Sequence, residues 1–422
     1  PANKQDSPLA SLRTLQILDA QVMVEDYKFG ASWYFPGFDI TFEKDPKGLK
    51  SILELDLPDV KDKPSHFQAE LLLDREARKA EAVTTIENLD LRIFSGKIDG
   101  LEILNEQDIL LNATLDVELG ENFDLRRLGG TISSVDGALF FEDLAPVPVP
   151  YSNFAVSFDY VTGPQEKMSV DDFALTAKGV TFRGQADISA DTDEQEGMTG
   201  AYSGPVTLSI DDMPQSAIEP LWPAALEGDS SQEWIVDKMG GGDLTGLKAQ
   251  ASVMAAPLED GGWDVDIADL VANFGFTAMN MDYRNPLPAL TNATGSGVFD
   301  LEKDRIDIKI DRAEMGGMTI VSADLGFEEV VAEGKGSVAM DISLEGGLDK
   351  IFTYLMTEPI DLKDALDFDI GQVRGDTKMR VKLDFPTKKD LAIEEINMDV
   401  SGTVNNGYLP AVIQGLPISG GP

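Results

Sequence analysis

Apolar and polar residues alternate along this chain from one end to the other. Leu53, Leu55 and Leu57 are separated by Glu54 and Asp56, and Leu115, Val117 and Leu119 by Asp116 and Glu118. Trp263, Val265 and Ile267 alternate with Asp264, Asp266 and Ala268; Ile306, Ile308 and Ile310 alternate with Asp307, Lys309 and Asp311. Met379, Val381, Leu383 and Phe385 alternate with Arg380, Lys382 and Asp384. A period of two places successive side chains on opposite faces of an extended backbone, so each run predicts a strand with one apolar and one charged face.

Turn signals separate these runs. Lys178-Gly179, Gly316-Gly317 and Asn405-Asn406-Gly407 tolerate the positive φ of tight hairpins, which predicts antiparallel neighbours. A hairpin plan of apolar strand, glycine turn and returning strand recurs in segments 170–184, 267–278 and 310–322, at irregular spacing. Helical pattern is confined to short stretches. Ser230 and Glu233 have capping-box spacing ahead of Trp234 to Met239, and Gly240-Gly241-Gly242 closes that run. Leu348, Ile351, Phe352 and Leu355 share one helical face, with a further turn expected over Leu362 to Phe368.

The fold class is therefore mainly β: a long antiparallel meander with a few short helices. Its segments are read as 1–145, 146–212, 213–246 (a Trp-Pro and helical cap) and 247–422, the last with short helices near 348–368. About twenty strands, each with three or four apolar residues on one face, expose more oily surface than such helices can cover. That face must meet a second sheet, fold on itself, or meet something that is not protein.

Composition narrows the chemistry. The 422 residues carry 75 acidic and 34 basic side chains, a net charge of −41, which disfavours nucleic acid and anionic headgroups as partners. With no cysteine and a single histidine, His66, thiolate metal sites, cysteine nucleophiles and Ser-His-Asp catalysis are not expected. His66 reads as an exposed residue of a turn. Asp191, Asp193, Glu194 and Glu196 crowd one loop, but Tyr202 stands where an EF-hand needs its twelfth-position glutamate. Leu247 stands where a phosphate loop needs lysine. The reading is a protein that is not an enzyme and uses no metal or cofactor. A polysaccharide hydrolase built on pairs such as Asp171-Asp172 and Asp211-Asp212 is a distant rival.

One stretch has a more specific likeness. Ala217-Ile-Glu-Pro-Leu-Trp222-Pro223, then Gln232-Glu-Trp234, then Gly241-Gly242, resembles the Leu-Trp-Pro, Trp-helix and Gly-Gly segment of the AsmA-like family, in particular its YhdP-type branch of bacterial envelope proteins. The lead-in from Pro148 to Tyr160, the later Leu287-Pro-Ala-Leu and Glu358-Pro-Ile-Asp-Leu, and the opening from Leu15 to Asp26 are similar to other parts of that family. The resemblance implies an elongated, curved β-groove with an apolar interior, of the bridge-like lipid-transfer kind. It implies phospholipid or another acyl lipid as partner and a place in the periplasm, serving outer-membrane biogenesis. A tether to the inner membrane is implied for the full-length protein and is not expected in this interior stretch. The groove-lining candidates are the inward residues of the runs above: Leu53, Leu55, Leu57, Leu115, Val117, Leu119, Val265, Ile267, Ile306, Ile308, Ile310, Met379, Val381, Leu383 and Phe385. Trp222, Pro223, Trp234, Gly241 and Gly242 are the structural signature. The alternative is a structural or adhesive envelope protein whose two sheets close on each other without a ligand.

Overall fold

The computed structural model describes residues 12–26, 31–60, 63–95, 102–140, 147–163, 166–190, 201–222, 232–257, 263–330, 336–361, 369–388, 391–392, 395–413 and 416–420. Among the described residues, twenty-one strands belong to one open, antiparallel meander sheet. The chain divides into two compact units, Pro1–Thr207 with Val253–Asp266, and Leu208–Ser252 with Ile267–Pro422.

The first unit holds β1 (Thr14–Asp26), β2 (Ala31–Lys44), β3 (Gly48–Val60), β4 (Lys63–Asp74), β5 (Lys79–Asp90), β6 (Asp108–Leu119), β7 (Leu125–Leu139), β8 (Val149–Val161), β9 (Lys167–Ala177) and β10 (Val180–Ala190). Each pairs antiparallel with the next in sequence. Three strands, β11 (Tyr202–Pro214), β13 (Asp243–Pro257) and β14 (Trp263–Met281), contribute residues to both units. The second unit contains β12 (Met239–Gly240), β15 (Leu290–Asp300), β16 (Arg305–Met315), β17 (Met318–Glu328), β18 (Ser337–Gly347), helix α1 (Leu348–Leu355), β19 (Arg374–Pro386), β20 (Asn397–Ile413) and β21 (Leu416–Gly420).

Local chemistry explains the tight connections. Lys178 and Gly179 (φ 52° and 80°) join β9 to β10, and Gly316 and Gly317 (56° and 81°) join β16 to β17. Two successive positive φ values give the turn twist that matches paired strands. Two expected hairpins are not formed. Asn405-Asn406-Gly407 lies inside β20, where Asn406 (φ 52°) adds one residue opposite β19, so the pairing steps from Asp376↔Asn405 to Arg374↔Tyr408. A lone left-handed residue makes a bulge, not a reversal. Segment 267–278 likewise runs on within β14; Gly275 pairs with Ser296, the isolated positive φ at Ala278 falls where the ladder with β15 shifts without turning, and the strand continues through the isolated positive φ at Asp269.

Helix α1 forms as expected, with Leu348 and Ile351 buried. The run after Gln232 is a single π-helical turn, Glu233–Lys238. Ser230, Pro223, the acidic loop at 191–196 and the turn expected over Leu362 to Phe368 lie outside the described residues. His66 sits within β4, not in a turn, with its Nδ1 3.1 Å from Asp56 Oδ1.

The protein exposes 26164 Å² of surface. A close-packed monomer of 45.7 kDa exposes about 16,000 Å².

Candidate functional site

Strand register decides which side chains share a face, because residues directly opposite in an antiparallel pair point the same way. In the first unit one row runs Ile17, Ile40, Leu53, Ala69, Thr84, Leu115, Gly130, Phe158, Val170, Ala186. A parallel row reads Phe38, Leu55, Phe67, Ile86, Ala113, Ile132, Val156, Phe173, Gly184. Another carries Leu71, Ala82, Val117, Leu128, Tyr160, Met168 and Ile188. The opposite face reads Asp39, Glu54, Gln68, Thr85, Thr114, Thr131, Ser157, Asp172. Leu53, Leu55, Leu57, Leu115, Val117 and Leu119 thus lie together on one apolar face spanning ten strands, each half-buried.

The second unit repeats the arrangement. Its rows are Ala272, Phe299, Ile306, Phe327, Val338, Phe385; then Phe274, Gly297, Ile308, Leu325, Met340, Leu383, Met398; then Phe276, Gly295, Ile310, Ala323, Ile342, Val381, Val400; then Ala313, Ile320, Leu344, Met379, Gly402. All seven inward residues expected on β16 and β19 fall on this face. At its β20 end it is wet: Met398 is 64% and Val400 47% exposed. Val265 and Ile267, further up β14, are exposed, and the register with β15 begins beyond them at Val271.

Sequence alternation missed the contribution of β15. Gly295 and Gly297 interrupt its apolar side, and the Phe276 and Phe274 rings fill the gaps: a Cβ on Gly295 would lie 2.6 Å from the Phe276 ring, and one on Gly297 2.3 Å from that of Phe274. The readable signal was complementary spacing, Phe-x-Phe on one strand against Gly-x-Gly on its partner.

Burial along the second unit's strands is uneven. Ile310, Ala313, Ile320, Ala323 and Leu344 are buried toward one margin, whereas toward the other Ile306, Ile308, Leu325, Phe327, Leu383 and Phe385 are half-buried and Val338 alone of that row is closed, at 2%. Helix α1 accounts for part of this. It follows β18 directly, and Ile351 clusters with Met318 and Leu344 while Met315, Ile342, Tyr354, Leu355, Met379 and Val381 pack around them. Tyr354 and Tyr283 place their hydroxyl oxygens 3.0 Å apart, and Met315 Sδ lies 3.3 Å from Tyr283 Oη, so one hydroxyl contact ties the helix to Tyr283, which is itself held by Met315 of β16. The first unit shows a smaller version, in which Phe94, just after the 3-10 turn Leu91–Ile93, meets Trp33 edge-on with ring centroids 5.5 Å apart.

Burial holds the Tyr283 and Tyr354 hydroxyls protonated beyond the ordinary tyrosine value. A folded-state value above the unfolded one gives stability that is complete below about pH 10 and lost as pH rises past it. Calorimetric unfolding of the wild type is therefore expected to show an alkaline loss that is smaller when both residues are replaced by phenylalanine; equal pH slopes in the two proteins would contradict the pinning role. At neutral pH, Tyr354→Phe alone is expected to cost about 1 kcal/mol, because Tyr283 keeps the Met315 sulfur as acceptor.

The polar faces carry paired charges. Arg380 Nε donates to Asp341 at 2.7 Å, Arg305 reaches Asp307 and Glu328, and Arg127 Nε donates to Asp159 at 2.6 Å. The neighbouring guanidinium groups hold Asp307 and Asp341 below the usual carboxylate range. An open trough of about 780 Å³ crosses this side of the second unit, flanked by Lys309, Asp324, Asp341, Lys382, Asp384 and Asp399 over a floor that includes Gly326 and Ala339. Its cations already face carboxylates, with Lys382 3.8 Å from Asp341 and Lys309 3.7 Å from Asp311, so it offers an anion no vacant pocket. Exposed pairs of this kind contribute about 0–1 kcal/mol each, which fits a solvated outer surface.

Comparison of the chain with family models, curated proteins and solved structures finds no match.

In the signature segment Trp222 is half-buried at the end of the 3-10 turn Glu219–Leu221. Gln215 ties it to the strands that follow: its backbone N–H donates to Gly242 O (3.1 Å) and its side-chain amide to Met239 O (2.9 Å). Gly241 and Gly242 have φ of 66° and 71°, and a Cβ on Gly242 would sit 2.3 Å from Thr277 O. The glycines serve a close backbone crossing, a structural role. Among the described residues no group of three or more carboxylate or histidine side chains is placed to hold a metal ion.

Proposed function

We propose that this chain is a non-enzymatic lipid-binding segment whose apolar sheet face holds phospholipid acyl chains. The observation that carries this reading is the register-linked apolar face, continuous across ten strands in the first unit and half-exposed over much of its extent. Apolar area left in water costs roughly 25 cal/mol per Å², and each buried methylene returns about 0.8 kcal/mol, so acyl chains lying on the face relieve the protein and the lipid together. The separation of charge onto the other face supports the same reading. Among the described residues no cluster of unpaired arginines stands ready for a phosphate, so headgroup selectivity is expected to be weak.

The resemblance of the Trp222 to Gly242 segment to the AsmA-like family favours a bridge-like role, in which such a face conducts lipid through the periplasm between inner and outer membrane. Organic extraction of the purified chain followed by mass spectrometry tests the proposal. Phospholipid in stoichiometric or greater amount is expected. A protein that is folded and lipid-free after expression in a bacterial envelope would favour the ligand-free structural alternative.

A further inference from the structure

We propose that α1 makes the second unit's apolar face one-sided: acyl chains occupy only the lane away from the helix, bounded by Val381 on one side and Phe385 on the other. This rests on the lipid-binding reading above and adds where on the face the lipid lies. Three observations converge on it. The helix folds back from the end of β18 over Met379 and Val381, filling with Ile351 and Leu355 the space that acyl methylenes would otherwise take. Burial follows the same boundary on β16 and β17, where Ile310 is 6% and Ile320 3% exposed toward the covered margin while Ile306 and Phe327 beyond it are half-open; on β18 Val338 is closed at 2%, and on β19 Met379, Val381, Leu383 and Phe385 are all half-buried. The Tyr283–Tyr354 hydroxyl contact joins the helix to the loop after β14, on the opposite side of β15 to β18, so the cover is held at both sides.

The lane between Val381 and Phe385 is about 13 Å wide, four residues of extended strand. It is lined by the aromatic rings of Phe299, Phe327 and Phe385, which give broad apolar contact at low cost in side-chain entropy.

The test loads the full chain with phosphatidylethanolamine carrying a diazirine within one acyl chain, irradiates it, and maps adducts by peptide mass spectrometry. In the wild type, adducts are expected on Ile306, Phe327, Leu383 and Phe385 and absent from Met318, Leu344 and Met379. In an Ile351→Asp variant, which lifts the helix by burying a charge beneath it, adducts are expected to spread to Leu344 and Met379. Equal labelling of both margins in the wild type would overturn the one-sided lane while leaving lipid binding intact. Absence of adducts from every apolar-face residue would overturn both. Because the wild-type map decides between these outcomes by itself, misfolding of the variant does not rescue the proposal.

Discussion

Replacing Ile308, Leu325 and Leu383 together by aspartate is expected to abolish phospholipid retention. The three lie in a single register row of the second unit, each half-buried and presenting its side chain to the same face. Each substitution removes about 1.5–3 kcal/mol of apolar contact and puts a charge where acyl methylenes would have to desolvate it. The adjoining row on the other face, Lys309, Asp324 and Lys382, provides the matched control. Changing those three to serine should leave lipid content within experimental error, since they are solvated and contribute little to packing. Far-UV circular dichroism separates loss of the face from loss of the fold, and Leu383→Asp alone serves if the triple variant does not fold. Lipid content equal to wild type in a folded triple variant would count against the assignment of this face.

The second large effect is one of stability. Gly242→Ala is expected to cost about 4 kcal/mol, the sum of left-handed backbone strain and a forced shift of β14. The new methyl group would meet Thr277 O at 2.3 Å and the Ala278 carbonyl carbon at 2.6 Å, both backbone atoms that cannot rotate away. Gly240→Ala, two residues earlier with open space around its added Cβ, should change stability by less than about 0.5 kcal/mol. Urea unfolding followed by tryptophan fluorescence measures both. Similar midpoints for the two variants would mean that the crossing near Gly242 is not the constraint its geometry indicates.

Much of the fold was legible because a period of two is a local signal and the turns of this sheet carry their own chemistry. Leu53 to Leu57, Leu115 to Leu119, Ile306 to Ile310 and Met379 to Phe385 each announce a strand and its sides, and Lys178-Gly179 and Gly316-Gly317 announce how strands reverse. What could not be read locally was the effect of a single left-handed residue. Asn406 and Asp269 have the composition of turn residues, yet each occurs without a second positive-φ neighbour and the strand continues through it. The face also includes positions that are not hydrophobic letters. Gly295 and Gly297 belong to it because Phe276 and Phe274 cover them across the ladder, a relation that depends on pairing and not on sequence proximity. The covering of one margin by α1 was illegible for the same reason: the amphipathic pattern of Leu348 to Leu355 predicts a buried side but not which surface buries it.

Face-selective protection by lipid tests the central claim most directly. The chain has no cysteine, so Leu383→Cys and Lys382→Cys each create a single thiol, on the apolar and polar face respectively. A water-soluble maleimide should label both thiols in delipidated protein. After loading from vesicles of the zwitterionic lipids phosphatidylethanolamine and phosphatidylcholine, labelling at position 383 should fall sharply while that at position 382 stays unchanged. Equal labelling at the two positions before and after loading would contradict the claim that acyl chains cover this face.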